Sequence, residues 1–391
     1  MNRFRETLEN NILPFWSEKM VDLEFGGFYG KMDGHNNLVS YASKGAVMHA
    51  RILWTFSAAY RKFNDKSYLQ IAERAYLYLR DNFIDREYGG VFWELDYQGK
   101  PLNTKKQTYA QGFALYGFSE FYRATGISEA LELSIDLFKL IEHTFDNEYG
   151  GYLEAFSRDW SPIADMRLSE KDENQVKTMN THLHILEPYT NLLQVWTDDK
   201  LVSAQKGLVD LFIGKIYDSR TGHLNLFFDQ EWNPTTDTIS YGHDIEAAWL
   251  LWEAATVLNI PALSRSIKDI VTSIGLAAVE GIFPDGSMAY EFKNGHLDGE
   301  RHWWVQAEAV VGYSYLSKIV PDSKFLDLAE NAWKFIQTNL IDVQFGEWYW
   351  SVLPDGQINR SDDKAGFWKC PYHNGRMCLE MLNEFQQKTD S

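Results

Sequence analysis

A glycine turn followed by aromatic or aliphatic residues recurs six times along the chain. Three copies are strong, at Gly26-Gly27-Phe28-Tyr29, Gly89-Gly90-Val91-Phe92 and Gly150-Gly151-Tyr152-Leu153. Three are weaker, at Thr221-Gly222-His223-Leu224, Glu280-Gly281-Ile282-Phe283 and Phe345-Gly346-Glu347-Trp348. Counted from Gly26 through Gly89, Gly150, Gly222, Gly281 and Gly346, the copies lie 63, 61, 72, 59 and 65 residues apart. Such a period constrains the fold more than any local pattern, because each unit must bury its apolar face against its neighbours.

Each turn is preceded by a helical pattern. In YLQIAERAYLYLRDNF and FLDLAENAWKFIQTNL the apolar residues recur every three or four positions with charges on the other face, as on a surface helix. The glycines that follow read as helix terminators, since a residue without a Cβ takes the left-handed conformation that ends a helix. After each turn comes a short extended stretch and then a second helix: KGAVMHARILWTFSAAYRKF, KKQTYAQGFALYGFSEFYRAT, MNTHLHILEPYTNLLQVW, YGHDIEAAWLLWEAATVL, RHWWVQAEAVVGYSYL and PYHNGRMCLEMLNEF. These are apolar nearly all round and carry small residues, which implies burial on most sides. Six amphipathic helices outside six buried ones predict an all-α fold, a toroidal (α/α)6 barrel with short hairpins and loops at one end. No Ser/Gly linker breaks the series, so residues 1–391 are expected to form a single catalytic domain. The most polar stretch, 167–177 (RLSEKDENQVK), reads as a long loop before the third inner helix, and loops of that length are often functional.

The net charge of -18 leaves no basic footprint for nucleic acid or an anionic membrane. The start, MNRFRETLENNILPFW, interrupts its apolar residues with charges, so it offers neither a secretory leader nor the roughly 20 apolar residues of a membrane span. Cys370 and Cys378 are too few for a disulfide framework and fit a reducing compartment. A cytoplasmic protein, monomeric or weakly dimeric, is expected.

Chemistry is expected where polar groups interrupt the inner helices: Arg51, Tyr109, Asn180 with His184 and Glu187, His243 with Glu246, Trp304 with Gln306 and Glu308, and His373 with Arg376. Inner helices that alternate with outer ones run parallel, so their N-terminal ends meet at one mouth. Any one of His184, His243 and His373 reads equally well as a satisfied core histidine, but three at one level of three repeats point to a site. Glu187 and Glu246, each three residues after a histidine, share its helical face and are expected to orient the imidazole. Most of the fourteen tryptophans read as core, whereas Trp304 and Trp368, near Glu308 and His373, suit stacking on a sugar ring.

Several reaction classes compete for this mouth. The two His-x-x-Glu pairs plus His373 offer metal ligands, but their order is the reverse of the Glu-x-x-His of di-iron bundles and no HExxH occurs, so no metal is expected. No GxGxxG or GxxxxGK[ST] motif implies a nucleotide. Glycoside hydrolysis needs two carboxylates, for which Glu308 with Asp244 or Glu246 are candidates. A carbohydrate-binding scaffold without catalysis is a third reading. The predominance of histidine instead suits proton exchange at a carbon beside a carbonyl, because imidazole takes and returns a proton near neutral pH.

The blocks MNTHLHILEPYTNL, YGHDIEAAWLL, RHWWVQAEA and GFWKCPYHNGRMCLE resemble those of the N-acylglucosamine 2-epimerase superfamily and, within it, the cellobiose 2-epimerase branch. The resemblance covers essentially the whole chain. It implies the (α/α)6 barrel, no cofactor or metal, and reversible C2 epimerisation of the reducing-end glucose of β-1,4-linked disaccharides: cellobiose to glucosyl-mannose, with lactose and mannobiose as related substrates. By motif match it implies His243 and His373 as the acid/base pair acting through a cis-enediolate, with His184 assisting ring opening. Arg51, Tyr109 and Asn180 correspond to groups that bind the C1–C3 oxygens, Glu246 to the group orienting its histidine, Glu308 to one holding sugar hydroxyls, and Trp304 and Trp368 to stacking platforms. Asp172 is a candidate contact for the non-reducing sugar. N-acylglucosamine 2-epimerisation and mannose isomerisation are the rival activities within the superfamily.

Overall fold

The computed structural model describes residues 2–170, 172–321 and 323–387. Twelve α-helices alternate among the described residues. The outer set is α1 (Asn2–Thr7), α3 (Lys66–Tyr78), α5 (Ser128–Glu142), α7 (Asp199–Leu211), α9 (Pro261–Ala277) and α11 (Ser323–Phe335). The inner set is α2 (Ala46–Phe63), α4 (Thr108–Thr125), α6 (Met179–Leu193), α8 (Tyr241–Leu258), α10 (Trp303–Ile319) and α12 (His373–Gln387). Each inner helix packs on the next and α12 packs on α2, which closes an (α/α)6 barrel.

The ring is closed by the two ends of the chain. Helix α1, prolonged by π-type turns at Leu8–Ile12 and Phe15–Lys19, is the outer partner of α12. Long-range hydrogen bonds to the sixth turn hold this segment, among them Asn11 Nδ2 to Asp342 O at 2.9 Å and Trp16 Nε1 to Glu347 Oε2 at 2.6 Å. The inner helices run parallel, because residues near their starts touch around the ring, as do residues near their ends. Arg51 meets Tyr109 at one end, and Arg61 meets Glu120 at the other. Small residues permit this approach: a Cβ on Gly112 would stand 2.5 Å from His184 O, and one on Gly312 2.6 Å from Ile245 O.

The repeated glycines do a different job from the one expected of them. The outer helices α3, α7 and α11, each prolonged by a π-type turn, end at extended Ile84, Tyr217 and Ile341, before the glycines are reached. The glycine pairs lie further on, in turns opened by an aspartate. In the second repeat Asp85 N donates to Gly90 O and Gly89 N to Asp85 O. At Gly151 the need for glycine is twofold, since φ is +80° and a Cβ would meet Trp232 Cζ2 at 2.3 Å.

Short antiparallel strands gather at the mouth. The two residues before an inner helix pair with the strand that follows the next repeat's turn, in the registers Lys44↔Leu95, Lys106↔Phe156, Lys177↔Phe228, Ile239↔Phe292 and Arg301↔Val352. Met32 bridges Ala365 across the closure. Neighbouring repeats are thus stitched together where the inner helices begin.

Beneath these strands lie buried ion pairs: Lys44–Asp22 at 2.7 Å, Lys106–Asp85 at 2.9 Å, Lys177–Asp146 at 2.7 Å, and Lys364–Asp342. Each lysine clamps the aspartate that opens its own repeat's turn. Lys44→Met leaves Asp22 buried without its cation and is expected to cost about 3–5 kcal/mol, measured by urea unfolding.

Candidate active site

Helical geometry divides the inner helices into two polar faces. The fourth residue of five of them turns outward and holds the turn before its own helix, which in the fifth repeat carries Gly286 and not the expected Gly281. His49, Gln111, His182, Asp244 and Gln306 accept from the backbone N–H of Phe28, Val91, Tyr152, Leu224 and Met288 at 3.3, 2.6, 2.9, 3.0 and 2.8 Å. Gln306, placed at the mouth by sequence, is therefore structural. Asp244 also bonds His223 at 2.7 Å and is fully buried, which removes it from the hydrolytic candidates.

The sixth residue lies two positions on, about 200° around the helix at 3.6 residues per turn, and so faces the axis. Those residues are Arg51, Phe113, His184, Glu246 and Glu308. The three histidines do not share a level as expected: His184 is sixth in α6, His243 third in α8 and His373 first in α12.

Arg376 organises the centre. Its Nη2 donates to Glu246 Oε1 at 2.7 Å and Glu308 Oε1 at 2.6 Å, while Nη1 donates to Glu187 Oε1, which also accepts from Tyr372 Oη. His373 Nδ1 lies 2.7 Å from Glu308 Oε1 and 3.8 Å from Glu246 Oε1. The other Glu308 oxygen accepts from Trp249 Nε1 at 3.0 Å. His184 Nδ1 lies 3.2 Å from Glu187 Oε2, so that His-x-x-Glu pair forms as expected.

The second pair does not. His243 Nδ1 bonds Ser240 Oγ at 2.8 Å, whereas Glu246 turns to Arg376. A guanidinium that is fully buried draws the carboxylate more strongly than a neutral imidazole does. Glu308 likewise departs from its expected part in holding sugar hydroxyls. It is fully buried, and both oxygens are engaged by Arg376, His373 and Trp249.

Around this core the remaining expected residues converge. Arg51 Nη2 donates to Tyr109 Oη at 2.9 Å, and Arg51 Nη1 reaches Trp368 O at 3.4 Å. The Tyr109 ring stands 5.2 Å from His184 and 6.0 Å from Trp368. Trp304 packs on two histidines, 4.7 Å from the His243 ring and 5.6 Å from that of His373. Asn180 lines the same cavity as His243, and its Oδ1 is buried without a partner, as is Arg51 Nε.

That cavity opens at the mouth and spans about 590 Å³, the adjoining open solvent included. Its outer wall comes from the polar loop, through Arg167, Leu168, Asp172, Glu173 and Gln175, facing Tyr290 and Glu291. Lys171 of that loop lies outside the described residues. Ser240, Trp249, Tyr290 and Tyr372 were not singled out by sequence. Trp249 sits in an apolar run that reads as core, Tyr372 in a mixed stretch beside His373 with no spacing to single it out, and only their long-range partners reveal a polar use.

Burial lowers the pKa of all three histidines; His184 depresses His243 further, and Arg51 with Arg376 depresses His373. The imidazoles are therefore neutral at neutral pH and can accept a proton. Burial would raise Glu187, but Arg376 and His184 hold it down to about 2. Burial, and for Glu246 the Glu308 carboxylate, raise Glu246 and Glu308. Ligand atoms of Glu246, Glu308 and His373 fall within 4.8 Å of one another, a spacing a metal ion could use. Arg376 bonds both of these carboxylates, so a cation would have to sit against a buried guanidinium. Among the described residues no helix is long and apolar enough to cross a membrane, and Cys370 and Cys378 are buried and free.

The sequence profile of the N-acylglucosamine 2-epimerase (GlcNAc 2-epimerase) family matches residues 27–375. A cellobiose 2-epimerase of Bacteroides fragilis is 55% identical over 383 residues, which span 97% of this chain and 98% of that protein. The solved structure of a cellobiose 2-epimerase from Bacillus thermoamylovorans superposes with a TM-score of 0.95 at 43% identity, covering 98% of each chain. A D-mannose isomerase of Marinomonas mediterranea is 23% identical over 97% of this chain and 96% of its own.

Proposed function

The chain belongs to the N-acylglucosamine 2-epimerase family, and from that premise we propose that it epimerises C2 of the reducing-end glucose of β-1,4-linked disaccharides. Cellobiose is the principal substrate and glucosyl-mannose its product, with lactose and mannobiose as related substrates. Residues 1–391 act as one catalytic domain, without metal or cofactor. The observation that supports the reading is that the His243 and His373 rings both pack on Trp304, 4.7 and 5.6 Å from it.

In this reading the reducing sugar lies against Trp304 and Trp368. Ring opening, assisted by His184 on Glu187, exposes the C1 aldehyde and makes the C2 hydrogen acidic. Arg51, Tyr109 and Asn180 bind the C1–C3 oxygens, and the Arg51 guanidinium stabilises the charge of the cis-enediolate. One neutral imidazole removes the C2 proton, and the other histidine supplies a proton to the opposite face. The proposal departs from the sequence-based expectation at Glu246 and Glu308, which act behind His373 and not on the sugar.

Incubation with cellobiose, mannose and N-acetylglucosamine, followed by NMR, tests the assignment. The expected product is glucosyl-mannose from cellobiose, with deuterium at C2 when the solvent is heavy water. Fructose from mannose, with cellobiose untouched, would replace this reading by aldose–ketose isomerisation. Release of monosaccharide from cellobiose would indicate hydrolysis.

A further inference from the structure

The centre of the barrel buries more negative charge than it can hold ionised. Three carboxyl groups, Glu187, Glu246 and Glu308, meet the Arg376 guanidinium, and all four residues are 0–1% exposed. Arg51 adds the second cation, its Cζ lying 4.7 Å from the centre of the Tyr372 ring whose hydroxyl bonds Glu187. Nearby His184 and His373 contribute no charge while neutral. Two guanidiniums against three carboxylates leave one uncompensated negative charge in a site without water access, whereas one bound proton makes the assembly neutral.

The hydrogen bonds locate that proton. Glu187 receives from Arg376 and Tyr372 and faces His184, so its carboxylate is fully served. Glu246 and Glu308 share a single nitrogen, Arg376 Nη2, and Glu246 Oε2 is buried without any partner. Both carboxyls flank His373 Nδ1.

We propose that the Glu246/Glu308 pair stores one proton and hands it to His373 Nδ1, turning that histidine into the acid that protonates C2. This rests on the epimerase reading and deepens it, because a neutral imidazole cannot donate to carbon until it has gained a second proton. In the step, His243 takes the C2 proton and the enediolate forms. The Glu308 O–H bond then breaks as His373 Nδ1–H forms. His373 Nε2–H gives its proton to the opposite face of C2, where the enediolate electron pair makes the new C–H bond. Glu308 is left as a carboxylate held by Arg376 and Trp249, and His373 is neutral again. His243 releases its proton to water at the mouth; once the product has left, a proton taken up at His373 Nε2, the one partly exposed member of the group, sends the Nδ1 proton back to Glu308 and refills the pair. Glu246 and Glu308 are thus positioning residues acting through His373.

The two halves of the reaction can be read separately in heavy water. Glu308→Gln removes the donor beside Nδ1, and Glu246→Gln removes the neighbouring charge that keeps a proton on Glu308. Each variant should lose epimerisation by at least about a hundredfold, the usual minimum for a positioned acid. Each should still exchange the C2 hydrogen of the sugar whose C2–H faces His243 within about tenfold of the wild-type rate, because that exchange does not require His373 to donate. Equal loss of exchange and epimerisation in both variants would mean a structural role and overturn the proposal. So would epimerisation retained near the wild-type rate in either variant. A wild-type protein that exchanges no C2 hydrogen would instead remove the epimerase reading itself.

Discussion

His373→Ala and His243→Ala should each lower kcat/KM for the proposed epimerisation by about 10²–10⁴-fold, the range a positioned acid or base contributes. The two losses have different sources. His373 connects the sugar to the carboxyl pair through Nδ1, 2.7 Å from Glu308. His243 bonds Ser240 and stands at the cavity wall, where its proton can reach water. Both changes remove a ring that packs against Trp304, so sugar affinity should fall by far less than turnover. Measuring KM and kcat separately, with circular dichroism as a check on folding, distinguishes lost chemistry from lost binding. Wild-type rates in both variants would end the two-histidine assignment.

Arg376→Leu should be the most damaging single change to stability, at about 3–5 kcal/mol or more, because it strips the shared cation from buried carboxyl groups. Glu187 would suffer most. With the guanidinium present it is held down to about 2, well below an unfolded glutamate. A depressed folded pKa contributes stability that is present above the unfolded pKa and is lost as pH falls through the folded one. Without Arg376 that contribution disappears, and the variant should be less stable than wild type at pH 7, with the difference narrowing as the pH is lowered. Arg376→Lys should rescue only part of the loss, since one ammonium cannot present the two nitrogens that serve Glu187 on one side and Glu246 with Glu308 on the other. Urea unfolding midpoints across the acid range measure both effects.

The architecture was legible because its cause is repetitive. An apolar face recurring every three or four residues, then a helix apolar all round, leaves few arrangements that bury both, and six copies close into a ring. The role of the glycines was less so: local pattern shows that a chain turns, but not whether the turn ends a helix or a strand bridge such as Ile84↔Val91. The buried lysine–aspartate clamps were missed for a similar reason. Their partners lie 21 to 31 residues apart across a loop of variable length, so no fixed spacing announces them.

At the site, sequence found residue types better than their partners. His184 and Glu187 meet as their spacing on one helix implies, and the same spacing fails for His243 and Glu246. The difference is Arg376, which lies 130 residues from Glu246 and 68 from Glu308. The fourth and sixth positions of the inner helices are both often polar, which at 100° per residue places them on opposite faces, a signal present in the pattern itself.

The amino-acid pattern alone determined the alternation of exposed and buried helices, the ring, and the end at which polar groups collect, because these follow from periodicity and from burial of apolar surface. Only the folded barrel decided which carboxylate serves which histidine. Competition for one buried guanidinium depends on distances between separate helices, and electrostatic energy in a site without water is governed by those distances rather than by neighbours along the chain.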